Sequence, residues 1–278
     1  MNVIKKVKII QTRADRVRRQ GKKIGFVPTM GYLHEGHLNL VKIARRHSDY
    51  VVVSIFINPL QFGLKEDFGR YPRDFKQDKK LLEKLGVDII FYPSVKEMYP
   101  ESMSAFVEVP ELSKSLCGRS RPVHFRGVCT VVTKLLNIVK PHIAVFGQKD
   151  FQQAVIIKKM VTDLNFDTKI IVAPTVREKG GLAMSSRNTY LSRRERKDAI
   201  ILFESLKMAK MLARKGVKNP LVILRKMRNL IKTKGGRIDY INIVDSKTLK
   251  NVTCVKKGDV VVLAVFFGKT RLIDNITI

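Results

Sequence analysis

The sequence predicts an α/β protein: a Rossmann-like, doubly wound parallel sheet with a smaller C-terminal α+β domain. Three observations predict it. Short β-branched runs alternate with stretches of helical spacing as far as about residue 176. The strand-like runs are near-continuously apolar, as strands covered on both faces are. Beyond residue 176 the alternation stops, and two helical segments precede three strand-like runs. The boundary is therefore drawn between residues 1–176 and 177–278.

In chain order, residues 23–29 read as a strand that passes through Pro and Gly into a helix over 37–47, whose apolar positions are Leu38, Val41 and Ala44. Residues 50–57 form an apolar strand, 73–85 a helix stopped by Gly86, and 87–92 a further strand. Val128, Val131, Val132, Leu135 and Val139 space a helix over 126–139 that Pro141 ends. A strand over 143–146, a helix over 151–164 and a strand over 169–173 complete the first domain. In the second, Ser192 and Glu195 form a capping box for one long basic helix running to Gly216, and Asn219 with Pro220 opens another helix. Strands follow over 238–244, 260–267 and 271–278, the last two joined by a turn at Gly268 and Lys269.

The chain has 278 residues, 45% of them hydrophobic, enough for a sizeable core. Its longest apolar runs, such as 260–267, fall well short of the roughly 18 residues of a membrane span, so a soluble protein is expected. The basic first 23 residues lack a long apolar core and read as a surface segment or first helix rather than a transit peptide. Three cysteines without a CxxC pair fit a reducing, cytoplasmic setting with no disulfide framework and no metal site. Net charge is +30, of which residues 1–23 carry +8 and residues 191–278 carry +14. No aromatic-basic interleaving accompanies that charge, so a solvated surface is expected rather than a specific nucleic-acid site.

The strongest chemical signal is Pro28-Thr29-Met30-Gly31-Tyr32-Leu33-His34-Glu35-Gly36-His37, where the strand turns into a helix. Helix N-termini offer unpaired N–H groups and the positive end of the dipole, so phosphate sits well there. His34 and His37 project on one side and can both donate hydrogen bonds to phosphate oxygens. The H-x-G-H form is similar to the signature of the nucleotidyl-transfer superfamily, which implies chemistry at an ATP α-phosphate and leaves the acceptor open.

Five further stretches resemble the pantothenate synthetase family in order and spacing: residues 54–62, Tyr71-Pro72-Arg73, 121–128, 146–153 and 175–188. The resemblance implies that Met30, Gly31, Tyr32, Leu33, His34, Glu35, Gly36 and His37, with Gly147, Gln148, Lys149 and Asp150, contact ATP. It places Val176 against the adenine and closes Met184, Ser185, Ser186 and Arg187 over the phosphates. Lys149 suits a flexible charge at the α- or β-phosphate, and Asp150 suits a ribose hydroxyl. Gln61 and Gln153 are carried over for pantoate, with Gln61 also facing β-alanine and Asn58 beside it; neutral amides orient a carboxylate without quenching it as a nucleophile. Arg121 and His124 either line the same pocket or cap and pack the following helix.

The resemblance further implies a two-step ligase acting on ATP, pantoate and β-alanine, with His34, His37, Lys149, Ser185, Ser186 and Arg187 as the catalytic set. Mg²⁺ is expected on the phosphate oxygens, the second domain as a lid, and the assembly as a homodimer. An adenylyltransferase that leaves AMP on its product is the nearest alternative, and an RNA-binding protein on a synthetase-like domain a more distant one. Three positions depart from the family pattern: Gly180 replaces an acid, Tyr32 a smaller residue and Asp74 a common Thr. The first leaves the rigidity of the 177–187 loop open.

Overall fold

The structure, a computed structural model, describes residues 1–64, 66–100 and 103–278. Six parallel strands form the larger sheet: β1 (Asn2–Ile4), β2 (Ile24–Thr29), β3 (Tyr50–Ile55), β4 (Ile89–Phe91), β5 (Ile143–Gly147) and β6 (Lys169–Ala173). Their order is β1-β4-β3-β2-β5-β6, so the winding reverses between β2 and β5.

Side-chain alternation explains why both faces are covered. Along β3, Val52 faces one core while Val51 and Val53 face the other; on β4, Ile89 and Phe91 oppose Ile90 in the same way. The first core is closed by helices Val7–Arg19, His124–Val139 and Phe151–Asp163, through residues such as Ile10, Leu135 and Ile156. The second is closed by Glu35–His47 and Phe75–Lys84, through Leu40, Val41 and Leu82. The basic N-terminal stretch contributes both that first helix and edge strand β1, which the sequence pattern had not separated from it.

Beyond the sheet lie β7 (Arg237–Val244), β8 (Val260–Phe267) and β9 (Thr270–Thr277), a three-stranded antiparallel sheet in that order. The apolar run of β8 has the same cause as those of the large sheet. Val261, Leu263 and Val265 meet helices Ile201–Arg214 and Pro220–Lys232, whereas Val260 and Val262 turn toward the first core. Gly268, at φ +54°, forms the tight turn between β8 and β9.

The long basic helix expected from the Ser192 cap is two helices, Arg193–Asp198 and Ile201–Arg214. The break falls where the chain touches the hairpin that bridges Arg177 to Ala183. A Cβ on Gly180 would lie 2.6 Å from Ile200 Cδ1, and one on Gly181 2.4 Å from Phe203 Cδ1. Close approach at those two glycines coincides with the break. No helix among the described residues is long and apolar enough to cross a membrane.

Candidate active site

A cleft of about 270 Å³ opens at the carboxyl ends of β2 and β5, where the strand order reverses. Parallel sheets expose their ligand crevice at that point, because the loops leaving adjacent strands there turn in opposite directions.

The first wall starts at Thr29. The chain turns through Gly31 (φ +82°) and Tyr32 (φ +52°), and a Cβ on Gly31 would lie 2.9 Å from Ile55 Cγ2, so only glycine fits. Buried Asp78 holds the turn, accepting from Tyr32 N–H at 2.8 Å and Leu33 N–H at 2.7 Å. Next comes a reciprocal cap: Gly36 N–H donates to His34 Nδ1 at 3.1 Å, and His34 N–H to His37 Nδ1 at 3.3 Å. Two of the N–H groups at this helix start, those of His34 and Gly36, are therefore taken within the turn itself. What the cap leaves are the imidazoles. Each Nδ1 is an acceptor, so each neutral ring carries its proton on Nε2 and presents an Nε2–H donor. Burial, with Lys149 nearby, holds His34 down to about 4. Burial first, then His34 and Lys149, push His37 well below its ordinary value. Both rings, with centroids 4.1 Å apart, are neutral donors at physiological pH.

Met30, His34, Gly36 and His37 line the cleft, but Gly31, Tyr32, Leu33 and Glu35 do not. Gly31 is buried in the turn, the Tyr32 and Leu33 amides are turned to Asp78, and Glu35 is exposed to solvent. On the β5 side Gly147, Lys149, Asp150 and Gln153 line it, with Lys149 Nζ 3.5 Å from Asp150 Oδ1. Gln148 does not. Its side chain donates to Asn275 Oδ1 on β9, and Asn275 Nδ2 donates back to the Gln148 and Lys149 carbonyls.

Asn58 and Gln61 are buried at the floor. Asn58 Oδ1 accepts from Leu60 N–H and from Tyr99 O–H at 2.8 Å, while its Nδ2 donates to the Gly127 carbonyl at 3.0 Å and to Gln61 Oε1 at 3.1 Å. Backbone groups on both sides thus fix the Asn58 amide, which fixes Gln61 with its NH₂ group outward, 3.2 Å from Met30 Sδ. Arg121 and His124 line the cleft and also brace it. His124 Nδ1 faces the Gln61 carbonyl at 3.0 Å and must donate, leaving Nε2 to accept from Arg121. Burial, then the Arg121 charge, holds His124 down to about 3.

The opposite wall is residues 175–188. Val176, Met184, Ser185, Ser186 and Arg187 line the cleft. Ser186 Oγ donates to the Tyr32 carbonyl at 3.1 Å, and Arg187 forks onto Asp67 at 2.8 and 2.7 Å. Arg177 pairs with buried Asp274 of β9, and Glu178 holds both Arg196 and Asn188. These ties hold the 177–187 loop despite Gly180. Asp67, Asp78, Glu178 and Asp274 had no assigned role in the sequence. Asp67 and Asp78 flank the Tyr71-Pro72-Arg73 stretch and Glu178 lies within 175–188, the available signals, and Asp274 carries none.

Fold and cleft together define a parallel-sheet α/β enzyme whose small-molecule crevice sits at the switch point. The profile of the family described as pantoate-beta-alanine ligase matches residues 2–277. A pantothenate synthetase of Thermotoga neapolitana is 55% identical over 276 residues, covering 99% of each chain, and one of Sulfurihydrogenibium sp. is 55% identical over 278. Among solved structures, a pantothenate synthetase from Thermus thermophilus superposes with TM-score 0.95 at 43% identity, covering 100% of this chain and 99% of that one. The pantoate-beta-alanine ligase from Francisella tularensis, complexed with beta-gamma ATP and beta-alanine, gives 0.85 at 38% identity, covering 100% and 97%. The chain belongs to the pantoate-beta-alanine ligase family and is an enzyme of that type, forming pantothenate from pantoate and β-alanine.

Proposed function

We propose that this cleft condenses (R)-pantoate with β-alanine through a pantoyl-adenylate. The pantoate carboxylate attacks the α-phosphorus of ATP and pyrophosphate leaves; the β-alanine amine then attacks the acyl carbon of the mixed anhydride, releasing AMP. The observation that carries this reading is the meeting of two neutral Nε2–H donors, on His34 and His37, with Lys149 and the outward NH₂ of Gln61 in one hollow. Donors fixed before substrate arrives stabilise charge growing on phosphate without reorganising.

In this reading the adenine lies against Val176, and Met184 closes over the phosphates. His34, His37 and Lys149 meet the phosphates, with Ser185, Ser186 and Arg187 across from them on the departing pyrophosphate. Gln61, Gln153 and Asn58 hold pantoate. Gln61 then donates to a substrate carboxylate or hydroxyl, since its own carbonyl is already taken by Asn58. Mg²⁺, when bound, neutralises phosphate charge. Among the described residues no three His, Cys, Asp or Glu side chains cluster to hold a metal, while the Asp150 carboxylate, 45% exposed, lines the cleft and would be an acid available to such an ion. Residues 1–176 act as the binding domain, residues 177–278 as the lid that excludes water from the adenylate, and the working form is a cytoplasmic homodimer.

The test is ATP–pyrophosphate exchange with pantoate and other small acids, followed by an assay for free AMP on adding β-alanine. Exchange that requires pantoate, with AMP released only after the amine, is expected. Pyrophosphate release without free AMP would replace the ligase by an adenylyltransferase.

A further inference from the structure

We propose that Asp67 is a positioning residue for this reaction: its carboxylate sets the rotation of the Arg187 guanidinium so that the fork's opposite edge is presented to the departing pyrophosphate. The inference rests on the reading of Arg187 as a phosphate donor.

Arginine has five N–H donors in one plane. Asp67 engages Nε and Nη2, at 2.8 and 2.7 Å, which fixes the in-plane rotation of the group. The buried Tyr71 ring lies beside it, its centroid 5.7 Å from the guanidinium carbon. Among the described residues none bonds Nη1, and Arg187 borders the cleft while Asp67 does not. Asp67 therefore stands behind the arginine, where it meets the guanidinium and not the substrate. Burial pushes its carboxyl up, but hydrogen bonding and charge from Arg187 outweigh this and hold it below the usual carboxylate range.

The neighbouring acid repeats the arrangement. Glu66 takes Arg121 through Nε at 2.8 Å and through Nη2, and Arg121 in turn donates to the Gln61 carbonyl and contacts His124. Two consecutive acids on the strand-to-helix connection after Gln61 thus each grip an arginine that lines the cleft. Ion pairs built only for stability have no need to engage, at two consecutive acids, arginines that line the cleft.

A pair whose charges cancel attracts ATP weakly in the ground state, so its contribution is orientation as charge shifts onto the leaving group. In the full-length enzyme, Asp67→Asn is expected to lower kcat for pantoate-dependent pyrophosphate release about 10- to 50-fold, with KM for ATP changed less than about threefold. Asp67→Asn combined with Arg187→Lys should be no more than about threefold slower than the slower single variant, because both remove one oriented fork. Thermal melts establish that each variant is folded at the assay temperature. Unchanged kcat in a folded Asp67→Asn variant, a loss confined to KM, or two losses that multiply would each overturn the proposal. Arg187→Ala separates the two levels. If it is inactive while Asp67→Asn is normal, only the positioning role falls; if Arg187→Ala keeps full activity, the phosphate reading of Arg187 falls and the Asp67 role with it.

Discussion

The two walls of the cleft are assembled by different means. The His34–His37 wall is closed by hydrogen bonds between residues two and three apart, whereas Ser186 and Arg187 are held by bonds to residues 154 and 120 positions away. The first wall forms with its own helix. The second exists only once the 62–71 connection, the 177–183 hairpin and β9 have come together. Ground-state placement of the imidazoles is therefore insensitive to much of the molecule, while the Ser-Ser-Arg wall responds to changes far along the chain.

The sharpest way to break that comparison is His37→Ala. Losing a preorganised donor should slow adenylate formation by roughly 10²- to 10³-fold, about 3–4 kcal/mol. The fold should persist, since the ring contributes a single cap bond, to His34 N–H. Pantoate-dependent pyrophosphate exchange measures it, and a rate within threefold of wild type would remove His37 from the phosphate wall.

Asp78→Ala tests a longer tie in the first wall. It would leave the Tyr32 and Leu33 amides without their acceptor in a partly buried turn, at a cost of about 3 kcal/mol. Denaturant unfolding reads this directly. A loss under about 1 kcal/mol would mean that Gly31 and the His cap hold the turn unaided.

Acid should loosen the His-bearing side of the cleft before it titrates the ion pairs opposite. An unfolded imidazole binds its proton near 6.5, but folded His34 does so only near 4 and His124 near 3. Between those values the unfolded chain binds more protons, so stability is full above pH 6.5 and falls as pH drops through that window. Each of the two histidines contributes roughly 2 kcal/mol of the loss between pH 7.5 and 5. His37 acts in the same direction. The Asp67–Arg187 pair is lost only below pH 3.8, because the Asp67 carboxyl is depressed. Unfolding midpoints at pH 7.5, 6 and 5 check this, and His34→Gln should flatten the slope. A flat profile over that range would show that the imidazoles are solvated.

How much was legible in the sequence follows the same division. Periodicity and punctuation located the strands and helices around the cleft, since β-branched runs, Gly86, Pro141 and the Ser192 and Asn219 caps act locally. The histidine pair was legible for the same reason. What was not legible depends on approach between distant segments. The helix expected to run unbroken from Ser192 divides where Ile200 and Phe203 meet glycines 180 and 181. The Tyr32 and Leu33 amides, in the stretch expected to contact ATP, are taken by Asp78, 46 positions from Tyr32. Gln148, inside a motif that faces ligand, turns instead to Asn275 because β9 arrives beside it. An isolated Asp carries no pattern that names its partner.

Tyr32 is the place where the local wall pays a small strain, and it gives the finest test. At φ +52° a side chain is disfavoured by about 1 kcal/mol relative to glycine, yet the Asp78 bond to Tyr32 N–H and the Ser186 bond to its carbonyl both use backbone atoms. Tyr32→Gly keeps both bonds and relieves the strain, but gives the unfolded chain more freedom, which offsets part of the gain. The expected outcome is a net stabilisation of about 0.5 kcal/mol, or roughly 1–2 °C in the thermal midpoint. A drop of more than about 1 kcal/mol would show that the tyrosine ring itself braces the turn, so that this wall, too, depends on contacts its short-range bonds do not include.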